Sequence, residues 1–587
     1  MADTLEVTTG SLGPSLRAAL EAYYRLLPQG SEYLQERWSA WRQDPHVQVL
    51  AAVGAQGEAG WLVFDAQHSM VEELVLRADC DATGVGRALL DALVAREVLV
   101  AARVLESDRA KAALLIDYGF RPVRRERKGQ VLLQIMELSM PVALEVCQRA
   151  GRPSRWPGRE KVVVERVPAG GDDAGLAAGL RRLLAPLGGL EAFVRPGQSV
   201  VIKPNIVSDH GLKDGEYRGG VVTDPRLLRE LVRMLLPLAG TVTIAEGSSI
   251  NRSATGKMFA HYGLDRLQDL APGRVRLVDL NQDRVVEKPV PGGKRMRVRR
   301  IPVTLEEADV IISVPVMKIH FAAIVSLAIK NLQGAVPPLE KYMTHFYGLA
   351  QNLVNIHHLV RPSLTIVDGL VGQEDFGPIS GVPKPMNLLI AGTNPVAVDA
   401  VTMRIMGLEP ASAPAVRLAA LQGMGPLELD AIDIVGPPLE EVSERFRQPL
   451  ISLQGGTCLT VHDGGACPGC RGYLHFALSK LRRPDPDNPG QNLVDRRLPR
   501  HAHIHLGPHA DGEPDPKGTH LFMGICRQHQ AHLGTHLPGC PPHAEVILNG
   551  VFGLFPGVER PSYADKSEEA TLGEMLEAIL ARERVQE

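Results

Sequence analysis

Five of the seven cysteines lie in the last quarter of the chain, and four of them form a set: Cys467-Pro-Gly-Cys470, Cys526 in Phe-Met-Gly-Ile-Cys, and Cys540 in Pro-Gly-Cys-Pro-Pro-His. Thiolates of a Cys-x-x-Cys pair reach one metal centre together, and a glycine near each further cysteine (Gly524, Gly539) lets backbone pass close to a bulky inorganic cluster. Zinc ribbons and fingers place their second ligand pair about 12 to 20 residues on. Here 55 residues separate Cys470 from Cys526, and 13 separate Cys526 from Cys540. Ligand type and spacing leave three readings: an iron–sulfur cluster, a zinc ion, or free thiols. The opening Met1-Ala-Asp-Thr-Leu-Glu is acidic and lacks the apolar run of a signal peptide, so a reducing, cytoplasmic setting is expected, which disfavours disulfides. Cys458 is a spare thiol, an alternate ligand or a buried filler, and Cys80 and Cys147 stand alone as structural residues.

Two further phrases carry a resemblance. Phe522-Met-Gly-Ile-Cys526 followed by Leu537-Pro-Gly-Cys-Pro-Pro-His resembles the end of the iron–sulfur subunit of respiratory NADH dehydrogenase, and Cys467-Pro-Gly-Cys470 resembles the Cys-x-x-Cys of nickel–iron hydrogenase small subunits. The likeness covers roughly residues 448–560 and implies a [4Fe–4S] cluster held by Cys467, Cys470, Cys526 and Cys540. It departs in the short interval before Cys540 and in an insertion rich in His and Pro, residues 499–517.

These ligands need elements to hold them, and at 587 residues the chain has room for three or four domains of about 150 residues. Hydrophobic residues at 44% and charged residues at 22% are those of a globular protein, and a net charge of −3 gives no reason to expect nucleic acid. No apolar run reaches the roughly 18 residues that a membrane span needs. The stretch from Gln148 to Lys161, rich in Arg, Gly and Pro, is expected to be a linker.

Before that linker, residues 48–140 alternate strand and helix patterns: paired strands at 47–52 and 60–64, a strand at 71–77, and a helix at 85–95. A strand at 98–105, a helix at 108–120 and a last strand at 131–138 follow. Asp81-Ala-Thr-Gly-Val-Gly-Arg87 places two glycines where a strand feeds a helix, and free amides there can hold a pyrophosphate. The order resembles GNAT-type N-acetyltransferases over roughly residues 10–140. That resemblance implies acetyl-coenzyme A at Gly84, Val85, Gly86 and Arg87, and Glu72 or Glu73 as a general base. Asp81 stands where the family's loop has Gln or Arg, and Leu115 where it often has a catalytic Tyr, with Tyr118 one turn away.

From about 162 to 439 apolar strands alternate with helices, as in parallel α/β domains, with strands expected at 199–205, 240–246, 308–315, 363–369 and 386–392. Ligands of such sheets sit beyond the strands' carboxyl ends, so Lys203, Asn205, Glu246, Lys318, His320 and Asp368 should converge on one crevice. Lysines 203, 318 and 330 favour an anion there, and Glu246, Asp368, Asp399 and His320 are groups for proton transfer or a divalent cation. A buried ion-pair network at strand termini is the competing account. Ile202-Lys-Pro-Asn205, Thr223-Asp-Pro225, Lys318-Ile-His320, Lys330-Asn-Leu332, Gly377-Pro-Ile-Ser-Gly381 and Asn394-Pro-Val-Ala-Val-Asp399 resemble the family known as domain of unknown function 362, over roughly residues 160–435. No Gly-x-Gly-x-x-Gly follows a strand in this region, so a tightly bound nicotinamide is not indicated.

The expected fold class is thus α/β in three domains. A GNAT-like mixed sheet occupies 1–142, a linker 143–160, a mostly parallel α/β domain 161–440, and a flavodoxin-like, cysteine-rich iron–sulfur module 441–587. The leading functional expectation is a cytoplasmic iron–sulfur redox protein or enzyme acting on a small anionic substrate or a partner protein, with Lys203, Lys318, His320 and Asp368 as its site residues and a fused N-acetyltransferase-like domain, active or degenerate. The alternatives are an acyl-coenzyme A dependent N-acetyltransferase with a regulatory or electron-transfer metal domain, in which Glu72 is the base, and a non-enzymatic electron carrier or cluster-delivery protein.

Overall fold

The computed structural model describes residues 5–27, 30–128, 131–151, 156–168, 172–248, 254–509, 512–561, 573–575 and 577. Its chain forms two compact units. One comprises Met1–Arg152, Gln454–Cys470 and Ala477–Glu587, the other Pro153–Leu453 and Arg471–Phe476. The N-terminal sheet and the cysteine module, expected as separate domains, therefore share one unit. Of the expected linker, residues 143–149 are helical, within Met140–Arg149, because Val142, Ala143, Val146 and Cys147 bury an apolar face; residues 152–155 lie outside the described residues.

Within the first unit a seven-stranded sheet runs in the order Glu6–Gly10, Val47–Gly54, Gly57–Asp65, Met70–Leu76, Ala101–Leu105, Val131–Leu138, Phe120–Lys128. Its neighbours are antiparallel except Met70–Leu76 beside Ala101–Leu105, which pair only at Met70↔Ala101 and Val71↔Ala102. Beyond those two rungs the two strands share no ladder. Helices Pro14–Tyr24 and Gly30–Gln43 pack Leu16, Leu20, Trp38 and Trp41 against Trp61 and Val63 of the sheet.

The same unit holds a four-stranded parallel sheet, Leu459–Asp463, Ala502–Leu506, Thr519–Met523 and Thr535–Leu537, in chain order. Alternation puts one set of side chains of these strands into the core, with Ile504, Leu506, Leu521 and Met523 buried. The opposite set is mostly imidazole.

In the second unit the strands run Val275–Asp279, Thr241–Glu246, Ser199–Pro204, Val310–Val314, Leu364–Glu374, Val382–Gly392, Glu160–Arg166, Ile432–Val435. The first five are parallel, as expected. Val382–Gly392 departs, running antiparallel to both its neighbours. The reason is the connection: residues 375–381 are too few for the crossover a parallel neighbour requires. Both faces of the parallel part are covered. Val200, Ile202, Ile244 and Ile312 enter one core with the helix Pro225–Leu235, while Val201, Ala245 and Ile311 enter another with Leu332, Ile356 and Val360. That double burial accounts for continuous apolar strands.

Candidate functional site

The four cysteines of the set come together in the first unit. Cys467 precedes the helix Pro468–Leu481 as its N-cap, and Cys470 lies in its first turn. The two thiols share a hydrogen bond, which holds Cys467 down to about 7, while that bond and burial push Cys470 well up. Cys526 is driven to about 12 by burial, then by Cys540 and Cys467, and Cys540 and Cys526 act on Cys470 in turn. Cys458 takes no such part: its sulfur accepts from Thr457 Oγ1 at 4.0 Å and its carbonyl from the amide of Ala502. Among the described residues, no group of three or more His, Cys, Asp and Glu side chains is arranged to hold a metal ion.

Two glycines with left-handed backbone lie beside these thiols. Gly524 has φ +80° and a Cβ there would stand 3.6 Å from Cys470 Sγ; Gly539, beside Cys540, has φ +127°. Thiols that act on one another in this way resist ionising together, so Cys470 and Cys526 are held up as neutral thiols; a cation or a metal cluster is what would let all four ionise. Four cysteines are the donor type of an iron–sulfur cluster, and Cys467, Cys470, Cys526 and Cys540 would hold one and give the site one-electron chemistry.

The imidazoles of the parallel sheet form a second assembly that sequence reasoning noted only as a His-rich insertion. His503 and His505 alternate along the strand Ala502–Leu506, His501 just precedes it, and His462 and His520 stand on its neighbours; the rings of His462, His503, His505 and His520 stack, and that of His501 tilts against His503. His462 Nε2 meets His503 Nδ1 at 3.0 Å, and His505 Nε2 meets His520 Nδ1 at 3.0 Å. Burial, then His462, lowers His505 to about 3, so this ring is neutral near pH 7. The period-two spacing of His501, His503 and His505 was the available signal for one strand face.

In the second unit Lys203, Glu246, Asn205 and Lys318 form one hydrogen-bonded polar set at the strands' carboxyl ends, while Asp368 and His320 are held by backbone amides. Lys203 Nζ pairs with Glu246 Oε2 at 2.8 Å and donates to the Pro204 carbonyl at 2.7 Å, with both side chains fully buried. Glu246 also accepts from the amides of Ile206 and Gly247. Asn205 accepts from Lys318 Nζ at 2.7 Å and donates to Asn331, which donates to the Lys203 carbonyl at 3.2 Å. Lys318 further donates to the Val221 carbonyl at 2.7 Å. Asp368 takes the amides of Asp224 and Leu370 at 2.7 and 3.1 Å; burial and then Asp224 raise it to about 7. Asp399 holds the amides of Ala328 and Ile329.

These partners sort the expected roles. Lys203 is committed to Glu246, and both Asp368 oxygens are committed to backbone amides, so these two residues shape the crevice instead of facing a ligand with a free group. His320 Nδ1 accepts from the amides of Ala322 and Ala323, which leaves Nε2 to carry the proton; burial and then Lys330 hold the ring neutral. Lys318 is lowered well below the usual lysine range by burial and then by Lys330. Lys330 itself is lowered to about 8 by burial and makes no hydrogen bond or ion pair among the described residues. Lys341, which sequence reasoning missed, joins the crevice by donating to the Gly247 carbonyl at 2.6 Å and to Asn281 Oδ1, and burial lowers it to about 7.

The N-terminal sheet places its predicted residues differently. The helix begins at Ala82, three residues earlier than expected, because Asp81 caps it by accepting the Thr83 amide at 3.1 Å. Gly84, Val85, Gly86 and Arg87 are thus inside the helix, and the Val85 amide already donates to the Asp81 carbonyl at 3.0 Å. This corrects the expected phosphate cradle. The Asp81 carboxylate also leans over Gly84, where a Cβ would meet its Oδ2 at 2.3 Å. Glu72 is buried between Arg37 and Arg103, the latter at 2.6 Å, and Glu73 is held by Lys111, Tyr24 and the Leu74 amide. Neither is free to accept a proton from an amine. Tyr118 donates to Asp91 at 2.6 Å, so its hydroxyl is committed too. An Asp81→Asn variant retains a capping side chain and removes the charge, so any coenzyme A affinity measured by calorimetry should rise by roughly two- to fivefold, the 0.3–1 kcal/mol scale of a charge at a helix terminus. An unchanged affinity would contradict the placement of Asp81 over the helix N-terminus.

The family described as Domain of unknown function (DUF362) matches residues 200–404, within the wider span expected from the sequence. The thylakoid-associated protein sll1697 of Synechocystis sp. is 28% identical over 284 residues, covering 47% of this chain and 84% of that protein. For the N-terminal region the similar solved structures include apo YjaB of Escherichia coli, at 18% identity and TM-score 0.20, covering 23% of this chain and 97% of that one. An acetyltransferase from Thermus thermophilus is 20% identical, with TM-score 0.19, covering 23% of this chain and 96% of that one. The PaiA N-acetyltransferase of Thermoplasma acidophilum, solved in complex with coenzyme A, is 14% identical with TM-score 0.20, covering 23% of this chain and 99% of that one. No helix among the described residues is long and apolar enough to cross a membrane.

Proposed function

We propose that this chain is an iron–sulfur redox protein whose central unit binds a small anion. The observation that supports the redox half is the gathering of Cys467, Cys470, Cys526 and Cys540 from three separated stretches into one set of mutually acting thiols. A [4Fe–4S] cluster bound there would supply one-electron transfer. Protein purified without oxygen should carry about four irons per chain; iron-free protein with four titratable thiols would sink the reading.

The anion half rests on Lys318 and Lys330, which form no ion pair among the described residues and have burial as the main influence on their charge. A small carboxylate or phosphate supplies the missing negative charge. Among the described residues Lys330 has no partner to strand, so Lys330→Met should fold normally. It should bind inorganic phosphate or a small dicarboxylate roughly 10- to 100-fold more weakly, the 1.5–3 kcal/mol of a hydrogen bond to a charged group. The pH dependence has a defined sign. Lys330 is cationic below about 8, so affinity is present below that pH and falls as pH rises through it. Calorimetry across that range checks both, and equal affinity of the variant and the native protein would exclude Lys330 as the anchor.

A further inference from the structure

Arg121, on the strand Phe120–Lys128, is only 3% exposed, yet it forms no ion pair among the described residues. Its guanidinium donates instead to four neutral carbonyls. Nε reaches Cys526 at 2.6 Å, Nη2 reaches Pro508 at 2.7 Å, and Nη1 reaches Ile116 and Phe120 at 2.7 and 2.6 Å. A second buried guanidinium, Arg527, directly follows Cys526 and donates to the carbonyls of Leu506 and His509. A cation taken out of water is costly, and the groups whose charge favours Arg121 are Cys526 and, less strongly, Asp117, so negative charge gathered at Cys526 would be stabilised there.

Ser139 points to the same place. It stands at the N-cap of the helix Met140–Arg149, where a serine hydroxyl ordinarily takes a backbone amide, yet it makes no capping bond. The hydroxyl is buried without a hydrogen bond of normal geometry, and the Cys526 thiol is the group on which it acts.

Resting on the cluster reading above, we propose that the N-terminal domain serves the cysteine site: Arg121 and Ser139 are positioning residues that fix Cys526 and offset the negative charge of a bound cluster. Adding an electron makes that cluster more negative, so a fixed cation and a donor to its ligand sulfur favour the reduced form and raise its potential. The occupation of Glu72, Glu73 and the helix N-terminus by protein partners agrees with a domain kept for this structural service.

The test is an anaerobic redox titration of the full chain followed by electron paramagnetic resonance. Arg121→Gln should keep its iron and become at least tenfold harder to reduce at a given potential, a shift of about 59 mV to lower values for one electron. Arg121→Lys should lie between the two, and Ser139→Ala should shift the same way by less. If Arg121→Gln does not retain iron, the Arg121→Lys and Ser139→Ala proteins carry the test. Iron-replete variants that titrate like the native protein overturn the proposal and leave the cluster reading intact. A native protein without iron removes the reading itself.

Discussion

Cys540→Ser is expected to lose the broad visible absorbance of a bound cluster, with iron falling from about four per chain to three or fewer. The alkoxide of serine is a poorer partner for iron than a thiolate. Gly539, at φ +127°, is pressed against Pro542, where a Cβ would stand 2.6 Å from its Cα. The one other cysteine in the module, Cys458, is bound up with Thr457 and the strand pairing of Ala502. Cys458→Ser should therefore keep its iron, which makes the pair of variants diagnostic. Full iron in Cys540→Ser would remove Cys540 from the ligand set, and loss in both would point to a different grouping of thiols.

Glu246→Gln should destabilise the central unit by about 3–5 kcal/mol, the usual cost of leaving a buried charge without its partner. Lys203 and Glu246 are 1% and 2% exposed and 2.8 Å apart, so neither solvent nor a neighbouring carboxylate can take over. Because the stranded charge is the cause, a Lys203→Met/Glu246→Gln double variant should recover much of the loss, and a double-mutant cycle in denaturant isolates the coupling. A single-variant cost below about 1 kcal/mol would place the pair on the scale of an exposed one. The pair's structural role also predicts that anion affinity follows Lys330 and not Lys203.

Much of the fold was legible for local reasons. Apolar runs at 199–205, 240–246 and 308–315 are strands because parallel strands covered on both faces leave no polar alternation. The helix after Asp81 was legible, but its start was not: the sequence pattern pointed to Val85, and the side chain of Asp81 moved it to Ala82. Other misses share a cause. Glu72 read as a free base because its partners, Arg37 and Arg103, lie 35 and 31 positions away in sequence, and no local period shows such a pairing.

Residue types and local periods are enough to establish the chemistry available: four thiols at metal-ligand spacings, lysines at the ends of apolar strands, and a strand–helix alternation that commits most of the chain to α/β layers. Which of those charges are spent is a matter of packing. The folded chain pairs Lys203 with Glu246 and, among the described residues, leaves Lys330 without an ion pair, though both are lysines at strand or loop ends. It also joins the first and last parts of the chain in one unit and sets Arg121 against Cys526 across 405 positions. The physical reason is that burial and charge compensation are settled among side chains brought together by packing, so their outcome is carried by long-range contacts that no local pattern encodes.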